Sequence, residues 1–216
     1  KRLYKSGYME PMTTHSDHYK RNGAYSTSAY SRGAIFLQQL KYIIGETLFN
    51  QGMLRYFDEW KFKHPQPYDF IRVMEKVSDL ELDWYLDLYT GTLQVTDYKV
   101  SSVYEKDGKT CIQIDRVGEL PMPLDILVET AAGTQYHYIP LDLIRGNKPV
   151  SAFNGSTPTM HTDWPWVYRS YTLELSIPAS SVKKVTIDPS TWMADVEPAD
   201  NVWPAIQQGS NFVEPK

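Results

Sequence analysis

Residues 91–115 read GTLQVTDYKVSSVYEKDGKTCIQID, and inside this stretch the chain changes period. Thr90-Gly91-Thr92 ends a helical pattern. After it, Tyr98, Val100 and Val103 begin strand-like text. Asp107-Gly108 is a two-residue hairpin signal. Thr110, Ile112 and Ile114 then alternate with Cys111, Gln113 and Asp115, the period of two of a half-buried strand. A helical run followed by a run of strands predicts an α+β chain with its boundary near Val95.

Toward the N-terminus the text is helical. Phe36, Leu40, Ile43 and Ile44 fall on one face of a helix over Ser28 to Ile44, with Ser26, Thr27 or Ser28 as N-cap and Gly45 as the stop. A second helix places Met53, Tyr56, Phe57 and Trp60 on a shared face. Lys61, Lys63 and His64 lie where the helix dipole favours cations, and His64-Pro65 ends the helix. A third is expected from about Asp69, with Phe70, Val73, Met74 and Val77 in register. Ser78-Asp79-Leu80-Glu81 has capping-box spacing and predicts a fourth, with Leu80, Trp84, Tyr85 and Leu88 facing inward.

Toward the C-terminus, strands are expected around Ile126 to Thr130, Tyr136 to Leu141, Tyr171 to Ile177 and Val182 to Ile187. Ala132-Gly133 is a turn. Pro149 to Pro165 reads as a loop containing Asn154-Gly155-Ser156. Short strands separated by turn signals predict an antiparallel β-sandwich. The division is 1–94 helical, 95–203 sandwich and 204–216 tail.

Composition narrows the function. Hydrophobic residues make up 42% and charged residues 22%, which is globular rather than disordered. The net charge of -4 gives no footing for nucleic acid, whose phosphates need concentrated Lys and Arg. There is no apolar run of membrane-spanning length. A single cysteine, Cys111, allows no internal disulfide, and its place on a strand reads as a small core residue or a pleat-facing thiol. The start, Lys1-Arg2-Leu3-Tyr4, has neither an initiator Met nor a signal-peptide run, so the chain is expected to be part of a longer protein.

Few residues present chemistry. None of the five histidines is followed by Glu, so the H-E-x-x-H zinc helix is absent from the sequence. His15-Ser16-Asp17-His18 has two donors where a zinc site needs three or four, and it reads as a capped polar loop. No phosphate loop and no G-x-S-x-G elbow occur. The stretch from Ala24 to Gly33, AYSTSAYSRG, sets Tyr25 and Tyr30 at the entrance of an apolar helix. Tyrosine is ordinary at a helix start, and Gly33 permits close packing. A phenol there can also donate a hydrogen bond to a developing oxyanion. Trp164-Pro165-Trp166 is either a loop anchor on the core or an exposed binding surface.

Ala29-Tyr30-Ser31-Arg32-Gly33 followed by Ala34-Ile35-Phe36-Leu37 resembles the Tyr-x-x-Gly pattern of the aminopeptidase N family of zinc metallopeptidases (family M1, gluzincins). The same resemblance extends through Ile44-Gly45-Glu46, His64-Pro65 and the segment EKVSDLELDW at 75–84. It continues through Arg116 to Pro123 and Ile187-Asp188-Pro189. Many members carry Lys where Arg32 stands, which keeps the charge and leaves the phenol untouched. The resemblance implies the helical C-terminal part of a thermolysin-like catalytic domain followed by an antiparallel β-sandwich. It implies a parent enzyme that removes N-terminal residues from a peptide substrate, with zinc held by upstream His and Glu residues in the upstream catalytic domain. Tyr30 would be the catalytic phenol and Tyr25 a substrate-lining one. The fragment itself would hold no metal and be inactive. Bacterial relatives of this kind lean toward export. The alternative is a non-catalytic β-sandwich acting as a binding or scaffold module.

Overall fold

The computed structural model describes residues 4–149 and 156–205. Helices come first and strands second, giving an α+β fold. One helical rod carries α1 (Asn22–Ser26), a π-helical segment (Thr27–Arg32) and α2 (Gly33–Ile44). Helices α3 (Glu46–Trp60), α4 (Pro67–Ser78) and α5 (Asp83–Gly91) follow.

Gly45 stops the rod as the sequence predicts. At φ 86° it takes a conformation that residues with a Cβ avoid, and its N–H donates to Lys41 O. The start differs. The N-cap is Arg21, without a side-chain cap bond, so Ser26, Thr27 and Ser28 lie inside the helix. The second helix also differs. Met53, Tyr56 and Trp60 are half-buried, but Phe57 is 67% exposed, because α3 packs through its Gly52 side against α4. That helix ends at Trp60, short of Pro65, and Phe62 turns left-handed at φ 63°. Helix α4 begins at Pro67, two residues before Asp69. Gln66 and Asp69 form its capping box and Pro occupies the first turn, where its missing N–H costs nothing. The box expected at Ser78 to Glu81 does not form. Ser78 is the last residue of α4, Asp79 is its left-handed cap, and α5 starts at Asp83 without a side-chain cap.

Strands β1 (Tyr98–Lys106), β2 (Lys109–Arg116) and β6 (Ser170–Leu175) form one sheet in the order β1-β2-β6. The β1–β2 turn is Asp107-Gly108, both at positive φ (52° and 73°), which suits the right-handed twist of a tight hairpin. The second sheet has the order β5-β4-β3-β7-β8. Its members are β3 (Leu124–Thr130), β4 (Gly133–Ile139), β5 (Thr159–Met160), β7 (Val182–Ile187) and β8 (Val202–Trp203). Strand β5 lies in the stretch expected to be loop, and it pairs parallel to β4 through His137–Thr159 and Tyr138–Met160, so the sandwich is not purely antiparallel. Two residues are too few to show a period, and β8 is equally short. Asn154 and Gly155 of the expected turn, and residues 206–216 of the tail, lie outside the described residues.

Both sheets and the helices share one core. Ile112, Ile114 and Leu173 of the first sheet join Leu124, Ile126 and Val185 of the second, together with Leu40, Ile43, Met74 and Tyr85 from the helices. Burying such side chains stabilises by about 1.5–3 kcal/mol each. Cys111 is buried on β2, as its small apolar character suggests. Trp164 is buried and donates through Nε1 to Tyr168 O at 3.0 Å, whereas Trp166 is 46% exposed. The anchor reading therefore holds for the first tryptophan alone.

Polar bonds tie the helical and strand parts together. Tyr42 Oη donates to Pro123 O at 3.1 Å and accepts from Asp125 N at 3.1 Å. Asp125 pairs with Lys148 at 2.7 Å, both buried, and the Lys148 ammonium lies 4.3 Å from the Tyr42 ring centre. Gln39 Oε1 accepts from Thr96 Oγ1 at 3.2 Å and Ala194 N at 3.3 Å. At Gly118 the chain passes so close to the 95–97 segment that a Cβ would collide with Val95 O and Asp97 N. Main chain cannot yield as a flexible side chain does. Gly118→Ala is expected to lower stability by about 1–3 kcal/mol, read as a lower urea midpoint at unchanged slope.

Candidate functional site

Ala24, Ser28, Arg32, Phe36 and Leu40 are all buried, each four residues from the last. A regular α-helix turns about 40° past a full turn in every four residues. Such a row would therefore drift off the buried face. The π segment has wider turns, with about one extra residue per turn. It sits in the middle of the row and reverses the drift. The burial pattern thus explains why this helix widens at Thr27–Arg32.

The inward side of the widened turn is held by polar contacts. Ser28 Oγ donates to Glu10 O at 2.8 Å. The Arg32 guanidinium, 2% exposed, donates to Glu10 O at 2.9 Å, Tyr89 O at 2.6 Å and Thr92 O at 3.0 Å. Tyr89 and Thr92 mark the C-terminal end of α5, where carbonyls lack helical partners and the dipole favours a cation. Arg32 is therefore a cap supplied by another helix. Tyr89 returns the contact. Its Oη donates to Arg32 O at 3.0 Å, and its ring lies 5.1 Å below the guanidinium. Burial pushes the Tyr89 phenol up to about 12, against the opposing charge of Arg32, so it remains a donor.

Tyr30 lies midway between Ser28 and Arg32 and faces outward, 73% exposed. It is inside the widened turn rather than at a helix entrance. Tyr25 is in α1, one short helix earlier. Its ring meets Tyr19 edge-on at 5.5 Å, and it borders a shallow depression with Ser16, Tyr19, Arg21 and Asn22. An exposed phenol on a braced turn can donate a hydrogen bond to a group brought against it. A cavity of about 170 Å³ lies behind the turn, lined by Arg32, Gln39, Tyr89, Gln94, Thr96 and Asp195 among others.

His15 and His18 lie in the polar loop as expected. His15 Nδ1 accepts from Asp17 N at 3.3 Å. Among the described residues no group of three or more His, Cys, Asp or Glu could hold a metal ion. No described helix is long and apolar enough to cross a membrane.

Residues 5–89 match the peptidase family M1 domain, a span that contains Tyr25, Tyr30, Arg32 and Tyr89. Aminopeptidase N of Haemophilus influenzae is 29% identical over 126 residues, which cover 53% of this chain and 14% of that protein. The chain thus corresponds to about one seventh of the length of this curated relative. The crystal structure of Legionella pneumophila aminopeptidase A in complex with aspartic acid aligns over 71% of this chain and 16% of its own, at 13% identity and a TM-score of 0.44.

Sequence reasoning missed the bracing of the widened turn by Arg32, Tyr89 and Glu10. The four-residue spacing of Ala24, Ser28, Arg32, Phe36 and Leu40 was its available signal. It also missed a histidine pair. His137 Nδ1 lies 3.0 Å from His161 Nε2, linking β4 to the residue after β5. Nothing in the spacing of His137 and His161 announces this, because a parallel pairing brings them together.

The buried titratable groups set opposing pH dependences. Burial, then His161, pushes His137 down to about 4, and burial pushes His161 down as well. Burial raises Asp195 to about 6. For His137 the unfolded chain binds the extra proton, so its contribution is complete above 6.5 and is lost as pH falls toward 4. For Asp195 the folded chain binds it, so its contribution is complete below 3.8 and is lost as pH rises through 6. The two slopes oppose each other between about 4 and 6. Asp195→Asn should make stability rise more steeply with pH across that window than in the parent chain, and His137→Gln should make it rise less. Urea midpoints measured near its two ends check both signs.

Proposed function

We propose that the chain is the tyrosine-bearing part of a zinc-dependent aminopeptidase, which hydrolyses the N-terminal peptide bond of its substrate. The observation that carries this reading is Tyr30. It lies within the M1 span and stands exposed on a turn whose opposite side is fixed by Ser28 and Arg32. Water adding to the scissile carbonyl leaves a tetrahedral oxyanion, and the Tyr30 O–H donates a hydrogen bond to it. Such a donor lowers the barrier only if it is in place before charge develops, which a braced turn provides. Tyr25 lines the substrate site.

Zinc is the remaining requirement. Its ligands and the general base belong to an upstream catalytic domain outside this chain. Residues 1–94 complete that domain, 95–203 form a supporting sandwich and 204–216 a tail. The sandwich supports the helical part through Tyr42, Asp125, Lys148 and Gln39.

In the zinc-loaded enzyme, Tyr30→Phe is expected to lower kcat on aminoacyl-anilides by about a hundred- to a thousand-fold with little change in KM. Unchanged kcat would remove Tyr30 from the chemistry. The 216-residue chain alone, with or without added zinc, is expected to release no amino acid above the buffer rate. A zinc-dependent rate intrinsic to it would overturn the division of labour.

One observation favours a second reading, that of a binding module. Trp166, Val167 and Tyr168 are consecutive and all exposed. Aromatic groups of this kind anchor binding surfaces. Under that reading a peptide or glycan partner is lost with Trp166→Ala while the fold survives, since the buried Trp164 holds the loop.

A further inference from the structure

We propose that Arg32 and Tyr89 are positioning residues for Tyr30, holding the widened turn in the one register that aims its phenol outward. This rests on the reading of Tyr30 as the oxyanion donor.

The argument starts from helix geometry. A π turn holds one residue more than the α turn it replaces. If it closed into a regular α-helix, the residues before it would rotate by about 100° relative to α2. Tyr30 lies inside that segment, so closure would swing its phenol off its present line. What opposes closure is on the inward face. Ser28 and Arg32 stand two residues either side of Tyr30, and both donate to Glu10 O. Arg32 reaches on to Tyr89 O and Thr92 O, and the phenol of Tyr89 bonds back to Arg32 O. The main chain and the side chain of the same residue are thus held by one helix end. Glu10 lies outside the helical rod, and α5 is more than fifty residues further along the chain. The brace therefore depends on tertiary structure and not on local propensity.

Arginine suits this task. Its planar fork can serve several carbonyls at once, and the loss of one bond leaves the others in place. Lysine offers three donors from a single point. It would keep the charge at the end of α5 with looser direction.

The test is a double-mutant cycle in the zinc-loaded enzyme, with kcat normalised to active sites by titration with a tight-binding inhibitor. Arg32→Met is expected to lower kcat by about a hundred-fold, the cost of a misplacement near 1 Å, with KM unchanged. Arg32→Lys is expected to recover most of the loss. In the Tyr30→Phe background, Arg32→Met should cost nothing further, because the group it positions is gone. If the two losses multiply, or if Arg32→Met acts on KM, the positioning role is overturned and Arg32 is a general scaffold. If Tyr30→Phe leaves kcat intact, the Tyr30 reading fails first and the positioning role falls with it. Should Arg32→Met not fold, Tyr89→Phe decides. It removes only the phenol bond to Arg32 O, and its smaller loss in kcat should likewise vanish when Tyr30 is Phe. A loss that persists there overturns the proposal.

Discussion

A buried guanidinium held by three carbonyls from two other parts of the chain is the constraint on which the helical half depends. Arginine keeps its charge in any protein interior, so burying it leaves two outcomes: complete hydrogen bonding or a heavy penalty. Arg32 meets the demand by taking the free carbonyls at the end of α5 and the main chain of Glu10. In doing so it fixes where α5 ends, where Glu10 lies against the rod, and how wide the rod must be at Thr27–Arg32. Three features that look separate along the sequence thus become conditions on one another. Ser28 adds a second bond to Glu10, and Tyr89 closes the loop by donating to Arg32's own carbonyl.

A similar logic joins the helices to the sandwich. Tyr42 reaches from α2 to both sides of the β3 entry, accepting from Asp125 N and donating to Pro123 O. Its ring also faces the Lys148 ammonium, which pairs with Asp125. Tyr136 donates to the other carboxylate oxygen of Asp125 at 2.7 Å. A buried ion pair is a weak source of stability, because desolvation opposes the Coulomb attraction, but breaking one side of it costs about 3–5 kcal/mol. Its effect here is to specify one way of docking. A helix shifted by a turn would leave the Tyr42 hydroxyl and Asp125 N without their partners and would take the Tyr42 ring away from the Lys148 ammonium. The apolar core alone, which runs without a break from α2 to β7, would tolerate such a shift far better.

The parts legible in the sequence are those decided by neighbours a few residues apart. The change of period after Gly91, the Asp107-Gly108 hairpin, the stop at Gly45 and the alternation of Thr110 to Ile114 are all local, and all stand in the structure. Failures arise where distant chain outweighs local preference. Ser26 to Ser28 offer good caps, yet the helix runs through them because Ser28 has a better partner in Glu10 O. Ser78 to Glu81 carry capping-box chemistry, yet Leu80 is drawn into the core and Leu82 N donates to Glu75 Oε1 at 2.8 Å instead. Phe57 matches the apolar stripe of α3 and still faces out, since the contact with α4 is made through Gly52. Strand β5 exists only because β4 lends it an edge.

The same distinction applies to the candidate site. Tyr30 could be singled out from its place before a long apolar run, because that feature is local. Its surroundings could not. Ser28 and Arg32, four apart in the buried row from Ala24 to Leu40, do not fit the stripe of a regular α-helix, which should advance by three or four in turn. Only when the helix is allowed to widen do Ser28 and Arg32 fall beneath Tyr30 and share its frame. On the proposed reading, the site combines a locally encoded donor with a non-local brace. Under the proposed positioning role, substitutions that leave Tyr30 itself untouched, at Glu10 or at the end of α5, are expected to act on the same phenol through the turn that carries it.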